Sequence, residues 1–457
     1  MNYDQIYFLG IGGIGMSNLA RYFLANGKKV AGYDRTETSL TKELVQEGAN
    51  IHYEDNVLLI PELFTDAAST LIIYTPAIPI SHNEFNWFRS NGFKLMKRSQ
   101  ALGIITKQSD AICVAGTHGK TTVSSIIAHL LRQSHVDCNA FLGGILKNYG
   151  TNLLLSENSN ITVIEADEYD RSFHWLQPWV AVITSADPDH LDIYGTADAY
   201  RDSFEKFTSL IREDGFLFLK LGAPLSPYTK DGVKIFTYSE SEGEFYARNI
   251  RIGGGEIIFD FVSKDIVIED INLGVPVRIN IENTIVAIAV ALLCGVTPEE
   301  IKEAVKSFRG PKRRFDFIIK RDDIVYIDDY AHHPNELSAS ISSIKQLYPD
   351  KKVTGVFQPH LYTRTRDFSS EFAESLSQLD DLILLDIYPA REEPIDGVTS
   401  KIIFDEVTSF EKILINRNQL IDMVSEKDIE VLVTFGAGDI DKLIPDIENV
   451  LLKKYSY

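Results

Sequence analysis

Short apolar runs that end in glycine or acidic residues recur along the chain. Residues 6–9 form such a run, which leads into a glycine-rich turn, and a helical pattern over 18–26 follows. A second run over 29–33 ends at Asp34, and comparable runs lie at 70–74, 111–115, 161–164 and 180–184. Short apolar runs that alternate with helical patterns are typical of parallel sheets covered by helices. The pattern therefore predicts an α/β protein.

The periodicity changes between about residues 213 and 277. Short alternating segments such as 216–219 and 256–261 appear there, separated by glycine-rich turns such as 253–255. This pattern predicts an antiparallel meander attached to a central α/β unit. A strongly apolar helical pattern over 284–293 follows it, headed by Asn280 and Asn283. Asparagine near a helix start is usually a cap, so one of the two can cap the helix while the other binds a ligand.

Two stretches mark domain boundaries: the polar residues 107–110 and the basic segment 308–316. A chain of 457 residues is also long enough for about three domains. We therefore predict a first domain at 1–107, a central domain at 108–311 and a C-terminal domain at 312–457. Strand and helix patterns alternate again in the last of these, which is predicted to be Rossmann-like.

The first glycine turn has the spacing of a dinucleotide-binding fingerprint. It contains Gly10, Gly12, Gly13 and Gly15, and Asp34 follows about twenty positions later. Such a turn holds a diphosphate at a helix N-terminus, in a Rossmann-like βαβ unit. On this pattern alone the default ligand is NAD, so an NAD-dependent dehydrogenase is one alternative.

The second glycine turn, at 116–122, predicts a phosphate loop. It reads Gly-Thr-His-Gly-Lys-Thr-Thr and lies between an apolar run and a helical pattern, although only two residues separate Gly116 from Gly119. In such a loop Lys120 reaches the β- and γ-phosphates of ATP, and Thr121 places its hydroxyl on Mg²⁺. Glu165 ends the apolar run at 161–164, which is where the carboxylate that binds the nucleotide's metal is expected. This region is therefore predicted to be a P-loop domain that binds ATP and Mg²⁺.

Polar clusters follow the apolar runs of the last domain. Histidines and arginines are concentrated there, at His332, His333, His360, Arg364 and Arg366. Ligands bind at the carboxyl ends of strands in open α/β sheets, so a binding site is one interpretation and a solvated surface is the other. His190, which follows the run at 180–184, has the same two interpretations.

The amino-acid composition indicates which kinds of binding partner are unfavourable for this protein. With 45 basic and 65 acidic residues the net charge is −20, which argues against a broad basic surface for nucleic acid. The three cysteines form no metal-binding spacing and are predicted to be reduced thiols. The residues from Met1 to Gln5 lack a signal-peptide pattern, and the longest apolar run, 285–294, is too short to span a bilayer. These features predict a cytoplasmic protein without a membrane partner.

On these motifs the chain resembles the Mur ligase family over nearly its whole length. The motifs that carry the resemblance occur in the family's order at 10–17, 116–122, 165–168, 189–192, 313–316, 328–334 and 357–360. The resemblance implies that the first turn holds the diphosphate of a UDP-sugar, not NAD. It also implies an ATP-driven ligase of peptidoglycan synthesis. Within the family, the first and the last two motifs are typical of the member that adds L-alanine to UDP-N-acetylmuramate.

The implied reaction is amide formation through an acyl phosphate. The lactyl carboxylate of UDP-N-acetylmuramate would attack the γ-phosphate of ATP, and the amine of L-alanine would then displace phosphate. The main alternative within the family is a ligase that adds a recovered tripeptide to the same UDP-sugar. The resemblance leaves the assembly state open as a monomer or a weak homodimer.

The resemblance also assigns roles to individual residues. The UDP-sugar would contact Gly10, Gly12, Gly13, Gly15, Met16, Ser17, Asp34 and Arg98. ATP would contact Gly116, Thr117, His118, Gly119, Lys120, Thr121 and Thr122, with Asn283 on adenine, Arg314 on the phosphates and Asp329 on the ribose. Thr121 and Glu165 would hold the first Mg²⁺ and His190 a second, while L-alanine would lie near Tyr330, His332, His360 and Arg364. Lys120, Glu165, His190, His360 and Arg364 are thus the expected catalytic set.

Two positions depart from the family's patterns. Leu361 stands where relatives often have arginine after the histidine, so one contact to the alanine carboxylate is missing or replaced. Several later Mur ligases carry a carbamylated lysine some fifteen residues past the metal histidine. Lys206 is the only lysine in that window here, and we assign it no such role.

Overall fold

The computed structural model describes residues 3–390, 392–409 and 411–455, apart from the side chain of Asp192. The predicted outer limits of the chain's domains, Met1 and Tyr457, lie outside these residues. Contacts between residues divide the chain into two compact units. The first unit comprises Met1–Arg248, Phe261–Ile268 and Glu282–Val305, and the second comprises Asn249–Asp260, Glu269–Ile281 and Lys306–Tyr457.

The first sheet of the first unit is parallel and five-stranded. Its strands are β1 (Gln5–Leu9), β2 (Lys29–Tyr33), β3 (Asn50–His52), β4 (Thr70–Tyr74) and β5 (Lys94–Lys97), in the order β3-β2-β1-β4-β5. Its helices are α1 (Ile14–Ala25), α2 (Ser39–Gln46), α3 (Asn83–Ser90) and α4 (Arg98–Thr106). This strand order is that of a Rossmann-like half, as predicted.

Helix α1 begins four residues earlier than the pattern predicted, at Ile14 instead of Asn18. Gly13 takes the N-cap position with extended backbone angles, so Gly15 lies inside the first turn of the helix. Glycine weakens helices in general, which is why the glycine-rich segment was predicted to be a loop throughout.

The second sheet of the first unit has seven strands. They are β6 (Asp110–Ala115), β7 (Asn139–Leu146), β8 (Thr151–Leu154), β9 (Ile161–Glu165), β10 (Val180–Ile183), β11 (Phe216–Lys220) and β12 (Lys234–Tyr238). Their order is β12-β11-β10-β6-β9-β7-β8, and only the β7–β8 pair is antiparallel. The accompanying helices are α5 (Lys120–Arg132), α6 (Leu191–Tyr194) and α7 (Ala197–Thr208). The phosphate loop predicted from the sequence therefore follows β6, near the centre of this sheet.

The predicted meander is only partly correct. Residues 216–219 lie in β11, which pairs in parallel with β10 and so belongs to the large sheet. The short alternating pattern correctly predicts a strand at these residues, but it does not indicate with which other strand this strand pairs. A separate sheet of β13 (Tyr246–Gly253), β14 (Glu256–Val262) and β15 (Val267–Asn272) has the order β13-β14-β15. The two-residue connection between its first two strands requires them to be antiparallel.

The apolar helix also starts earlier than predicted. Helix α8 spans Ile279–Leu293 and α9 spans Pro298–Ser307. Both Asn280 and Asn283 therefore lie inside α8, and the prediction that one of them caps the helix is wrong. Asn280 instead donates from its side chain to the carbonyl of Val275, at 3.1 Å.

The second unit contains a six-stranded sheet. Its strands are β16 (Asp316–Lys320), β17 (Val325–Asp329), β18 (Val353–Phe357), β19 (Asp381–Leu385), β20 (Glu411–Ile415) and β21 (Val431–Phe435), in the order β16-β17-β21-β18-β19-β20. Only β16 runs antiparallel to its neighbour. Its helices are α10 (Pro334–Leu347), α11 (Tyr362–Asp367), α12 (Ser369–Leu376), α13 (Lys401–Glu406), α14 (Leu420–Glu426) and α15 (Ile444–Lys454). With this sheet, the predicted mixed α/β class is confirmed.

A continuous apolar core joins the two sheets of the first unit. It includes Phe8 of the first sheet, Leu19 of α1, Ala101 of α4, and Phe141 and Ile183 of the second sheet, all at least 96% buried. Helix α1 therefore packs against β7, and the glycine turns that follow β1 and β6 belong to the same compact unit. In the part of the chain that the structure describes, the helices are all too short or too polar to cross a bilayer.

Candidate active site

The phosphate loop lies between the end of β6 and the start of α5. Gly116 and Gly119 have φ angles of 147° and 83°, which glycine adopts without strain. The end of β10 holds this loop in place, because the Thr184 hydroxyl donates to the carbonyl of Ala115 at 3.2 Å and the Ser185 hydroxyl accepts from the N–H of His118 at 2.9 Å. The first N–H groups of α5 have no partner within the helix and suit an anion.

Lys120 is tightly bound at this loop. Its ammonium nitrogen lies 2.6 Å from the carbonyl oxygen of Gly116 and 2.8 and 2.7 Å from the two carboxylate oxygens of Glu168. Glu168 is 2% exposed, and its burial raises the pKa of its carboxyl group above the usual value. Glu168 belongs to the acidic run at 165–168, but the sequence motifs give it no role of its own. Only the folded structure distinguishes it from the neighbouring carboxylates.

Thr121 and Glu165 lie next to each other, as the predicted metal site requires. The Thr121 hydroxyl donates to Oε1 of Glu165 at 3.0 Å, and the N–H of Gly143 in β7 donates to Oε2 at 3.0 Å. A β-carbon on Gly143 would overlap this carboxylate, which explains the glycine in the middle of a strand. Burial raises the pKa of Glu165, so a cation is the partner that would favour its ionised form.

These donors fit Mg²⁺. The ion commonly binds proteins through one or two carboxylates and completes its shell with phosphate oxygens and water. Within the described residues, no group of three histidine, cysteine, aspartate or glutamate side chains could hold a metal ion without such additional ligands. A hydroxyl and one carboxylate beside a phosphate loop match the first type of site.

His190 lies near this group but does not contact Glu165 or Thr121 directly. It has a left-handed φ of 51°, and its Nε2 is 4.0 Å from Oε1 of Glu168. Its ring meets that of Tyr169 edge to face, with centroids 5.3 Å apart. The structure thus brings His190 to the Lys120–Glu168 pair.

Asn283 of α8 lies against the phosphate loop. A β-carbon on Gly119 would be 3.3 Å from the side-chain oxygen of Asn283. The asparagine predicted to contact adenine is therefore at the loop that would hold the phosphates of the same nucleotide.

The first glycine turn uses its own carboxylate to hold its shape. Oδ2 of Asp34 accepts from the N–H of Gly12 at 2.7 Å, and the carbonyl of Tyr33 accepts from Gly10 at 2.8 Å. The predicted contacts Met16 and Ser17 are buried, and the Ser17 hydroxyl donates to the carbonyl of Ile14. Asp34 therefore supports the turn itself, where the dinucleotide pattern would have it bind a ribose.

Arg98 connects this turn to the acidic run after β9. A β-carbon on Gly15 would overlap Nη1 of Arg98, and Nη2 of Arg98 lies 3.1 Å from Oδ2 of Asp167. A cavity of 180 Å³ is lined here by Gly15, Arg98, Gly143, Glu165 and Asp167, among others. A second cavity of 210 Å³ shares Arg98 and Asp167 and extends to Tyr169. Open space therefore leads from the first glycine turn to Glu165 of the predicted metal site.

The predicted amino-acid site forms one cluster in the second unit. Nη1 of Arg364 lies 3.3 Å from Nδ1 of His360, and the rings of His332 and His360 have centroids 6.3 Å apart. Tyr330 meets His332 edge to face at 5.2 Å, and the guanidinium of Arg314 lies 5.8 Å from the Tyr330 ring centre. The sequence-predicted residues of this unit are therefore close neighbours.

The backbone and charges of this cluster are unusual in two places. Burial raises the pKa of Asp329 to about 6, although its carboxylate accepts from the hydroxyl of Ser340 at 2.6 Å. Leu361, the departure noted in the sequence, has a φ of 72°, which is rare for a branched side chain. By contrast, His333 accepts from the N–H of Asn335 and caps α10, so its role is structural.

A phosphate loop with a lysine, a threonine and an adjacent carboxylate defines an α/β nucleotide-binding protein. Open space leads from that carboxylate to the first glycine turn. Models of the Mur ligase family match three successive regions of the chain. The "Mur ligase family, catalytic domain" matches 5–110, the "Mur ligase middle domain" matches 114–291, and the "Mur ligase, glutamate ligase domain" matches 313–438. The chain belongs to the Mur ligase family.

Individual relatives agree with this assignment. A UDP-N-acetylmuramate–L-alanine ligase of Parabacteroides distasonis is 62% identical, over 98% of this chain and 97% of its own length. The crystal structure of a UDP-N-acetylmuramate–alanine ligase from Thermotoga maritima is similar with a TM-score of 0.82, at 26% identity and 99% coverage of both chains. A murein peptide ligase from Psychrobacter arcticus, at 20% identity and a TM-score of 0.66 over 97% of this chain and 99% of its own, shares the fold.

Proposed function

We infer that the protein is an ATP-dependent ligase that joins L-alanine to the lactyl carboxylate of UDP-N-acetylmuramate, the first amino-acid addition of peptidoglycan synthesis. The observation that carries this inference is the open path from the first glycine turn to Glu165, lined by Gly15, Arg98 and Asp167. A UDP-sugar anchored by its diphosphate at that turn would extend its carboxylate toward the phosphate loop. Relatives that match nearly the full length of this chain are named UDP-N-acetylmuramate–L-alanine ligases.

The chemistry follows from the weakness of a carboxylate as an electrophile. An oxygen of the lactyl carboxylate attacks the γ-phosphorus of ATP, the bond to the β-phosphate oxygen breaks, and ADP leaves. The amine of L-alanine then attacks the acyl carbon, and the phosphate departs with its bonding electrons while the amine loses its proton. Two anions must approach each other in the first step, so positive charge at the phosphate loop is the main requirement.

Lys120 and the N–H groups at the start of α5 are proposed to supply part of this charge. Thr121 and Glu165 are proposed to hold Mg²⁺, and His190 a second ion. When bound, Mg²⁺ would neutralise phosphate oxygens and orient them. In the second unit, Arg364 is proposed to pair with the carboxylate of L-alanine, because a guanidinium matches a carboxylate with two parallel hydrogen bonds.

The geometry speaks against the dehydrogenase alternative. Hydride transfer has no use for the lysine, threonine and glutamate at the phosphate loop, and Asp34 is occupied by the N–H of Gly12. The tripeptide-adding alternative shares the fold, but the relatives most similar in sequence are named for alanine addition.

One experiment separates these activities. Phosphate release from ATP is measured with UDP-N-acetylmuramate and, in turn, L-alanine, glycine, L-serine, the recovered tripeptide or no acceptor. We expect L-alanine to give the fastest release, with glycine and serine slower because one methyl group discriminates by only about 1–3 kcal/mol. Release that depends on the tripeptide, or none with any acceptor, would refute the proposed function.

We propose that the chain forms three domains, at 1–107, 108–311 and 312–457, and that the protein works in the cytoplasm as a monomer or a weak homodimer. The cytoplasmic assignment is supported by three cysteines that are all free thiols. Sedimentation velocity over a range of protein concentrations tests the assembly state.

A further inference from the structure

We propose that Glu168 is the positioning residue of Lys120: its buried carboxylate holds the lysine ammonium at the phosphate loop and acts on ATP only through that lysine. This inference rests on the proposed use of ATP. Predicted metal ligands lie on either side of Glu168 in the sequence, at Glu165 and His190, whereas the motifs give Glu168 itself no role.

The contact geometry is that of a tight ion pair. Both carboxylate oxygens of Glu168 lie within 2.8 Å of the Lys120 nitrogen, and the side chains of Lys120 and Glu168 are 15% and 2% exposed. The same nitrogen donates to the carbonyl of Gly116 at 2.6 Å. An ammonium has three N–H donors. Two of them are engaged at Gly116 and Glu168, and the carbonyl oxygen of Thr117 lies 3.4 Å from the same nitrogen. Contacts on several sides therefore hold the ammonium group at the loop.

The burial of Glu168 makes this pairing persistent. A buried carboxylate that loses its counter-ion is strongly destabilising, because nothing replaces its lost hydration. The imidazole of His190 is farther from this carboxylate than Lys120 is, with its Nε2 4.0 Å from Oε1. Lys120 is therefore expected to stay with Glu168 when a phosphate arrives and to exchange its contact to the Gly116 carbonyl instead.

The backbone at Glu168 is held as firmly as its side chain. Its carbonyl accepts from the Tyr194 hydroxyl and from the N–H of Arg171 at 2.9 Å. Asp170 and Arg171 both have left-handed φ angles, of 52° and 53°, which turn the chain sharply after Glu168. Conformations of this kind persist only where surrounding contacts enforce them. A carboxylate that only neutralised the charge of Lys120 would not need a fixed backbone position. The fixed backbone of Glu168 therefore favours a role in orienting the lysine.

The test is a double-mutant cycle on nucleotide binding. Titration calorimetry with a non-hydrolysable ATP analogue and Mg²⁺ is performed on the parent, Glu168→Gln, Lys120→Ala and the double variant. We expect Glu168→Gln to weaken binding about tenfold in the parent, since a charge-assisted contact that orients the lysine is lost. In the Lys120→Ala background the same substitution should weaken binding no further, because its route to the nucleotide is gone.

Controls separate this role from a general effect on the fold. Glu84→Gln, which removes another fully buried carboxylate of the same unit, should leave nucleotide affinity unchanged. Glu168→Asp keeps the charge but withdraws it, and should fall between the parent and Glu168→Gln; it also serves if Glu168→Gln does not fold. All variants should bind UDP-N-acetylmuramate like the parent.

Three results would overturn the proposal. The first is equal weakening of ATP-analogue binding by Glu168→Gln in both backgrounds, which would make Glu168 an independent ligand. The second is an unchanged affinity for the analogue in the single variant. The third is tighter binding of the analogue when the carboxylate is removed. A parent protein that binds no ATP analogue would instead refute the proposed function.

Discussion

Two turns of the first unit share one backbone design and differ in their side chains. Each follows a central parallel strand, bends at glycine and opens a helix, at β1–α1 and at β6–α5. In the first turn the neighbouring carboxylate, that of Asp34, accepts a hydrogen bond from the N–H of Gly12. In the second, Lys120, Thr121 and the carboxylates of Glu165 and Glu168 surround the loop. Both turns have the backbone geometry that suits an anion, and the second adds the lysine, the hydroxyl and the carboxylates that the proposed phosphoryl transfer would use.

The surroundings of the buried acidic residues also differ between the regions of the two sheets. Glu165 and Glu168 lie at the carboxyl end of β9, beside a hydroxyl and an ammonium. The buried acid of the first sheet, Glu84, belongs to α3 and contacts Tyr7, whose side chain faces away from the core around α1. The acids near the phosphate loop thus contact Thr121 and Lys120, which are proposed to meet the nucleotide and its metal, whereas Glu84 contacts only scaffold residues among its described hydrogen bonds.

The largest effect is expected from Lys120→Ala. Turnover should fall about 10³-fold or more, because the group that meets developing charge on the transferred phosphoryl is removed. Binding of UDP-N-acetylmuramate should change little, since the first turn contains no part of this site. Phosphate release and calorimetric titration with the UDP-sugar are the two measurements. A lost isotherm in a folded variant would mean that the two turns do not work separately.

Glu84→Gln is expected to change the dependence of stability on pH. Glu84 is fully buried, its Oε2 accepts from the Tyr7 hydroxyl at 2.7 Å, and burial raises its pKa from the usual 4.5 to about 7. The folded state therefore binds a proton that the unfolded chain has released between these pH values. This contribution to stability is complete below pH 4.5 and is lost as the pH rises through 7.

The neutral glutamine does not suffer this loss. Relative to the parent, the variant should therefore gain up to about 3 kcal/mol in unfolding free energy between pH 4.5 and pH 8. Calorimetric unfolding of both proteins at several pH values measures the difference. Burial also lowers the pKa of His52 and of His82, which destabilises the fold as the pH falls. Nε2 of His52 lies 3.4 Å from Oε1 of Glu84, so its contribution differs between the two proteins. Both histidines titrate below 6.5, whereas the loss from Glu84 continues as the pH rises through 7. Parallel stability curves would show that Glu84 is ionised throughout.

Much of the scaffold of both turns could be predicted from sequence. The runs at 29–33 and 70–74 coincide with β2 and β4, because continuous apolar segments bounded by glycine or polar residues have few alternatives to a buried strand. The start of α1 was missed because Gly15 lies in its first turn and glycine weakens helices in general. The partner of β11 was missed because the local pattern of apolar residues does not determine which strand pairs with which.

The sequence motifs predicted which residues lie close together, but not which of them form ion pairs or hydrogen bonds with each other. Thr121 and Glu165 are adjacent as expected, and so are His360 and Arg364. The partner of Lys120 could not be predicted, because Asp167, Glu168 and Asp170 are chemically alike and the sharp turn after Glu168 decides which of them faces the loop. Asp167 instead pairs with Arg98, and Asp170 with Lys97.

Gly15→Ala tests the first turn alone. The added methyl group would overlap the guanidinium of Arg98, which must shift from its contact with Asp167. The guanidinium is the flexible end of its side chain and can move away at little cost to the fold. Its displacement from the cavity should weaken binding of the UDP-sugar about thirtyfold, as expected for the loss of one charge-assisted contact. The affinity for an ATP analogue with Mg²⁺ is the internal control and should stay the same. Equal losses at both sites would show that the two turns are mechanically coupled through Arg98 and Asp167.

The smallest effect is expected from His190→Ala, at the edge of the second turn. If His190 holds a metal ion, its loss should raise the Mg²⁺ concentration needed for half-maximal phosphate release about tenfold, a size typical of weakened metal sites. Saturating Mg²⁺ should restore most of the rate. His135→Ala is a suitable control, because His135 belongs to the same unit, is 61% exposed and pairs only with Glu300 in the structure. An unchanged Mg²⁺ requirement in His190→Ala would remove this histidine from the metal site and leave Thr121 and Glu165 as its protein ligands.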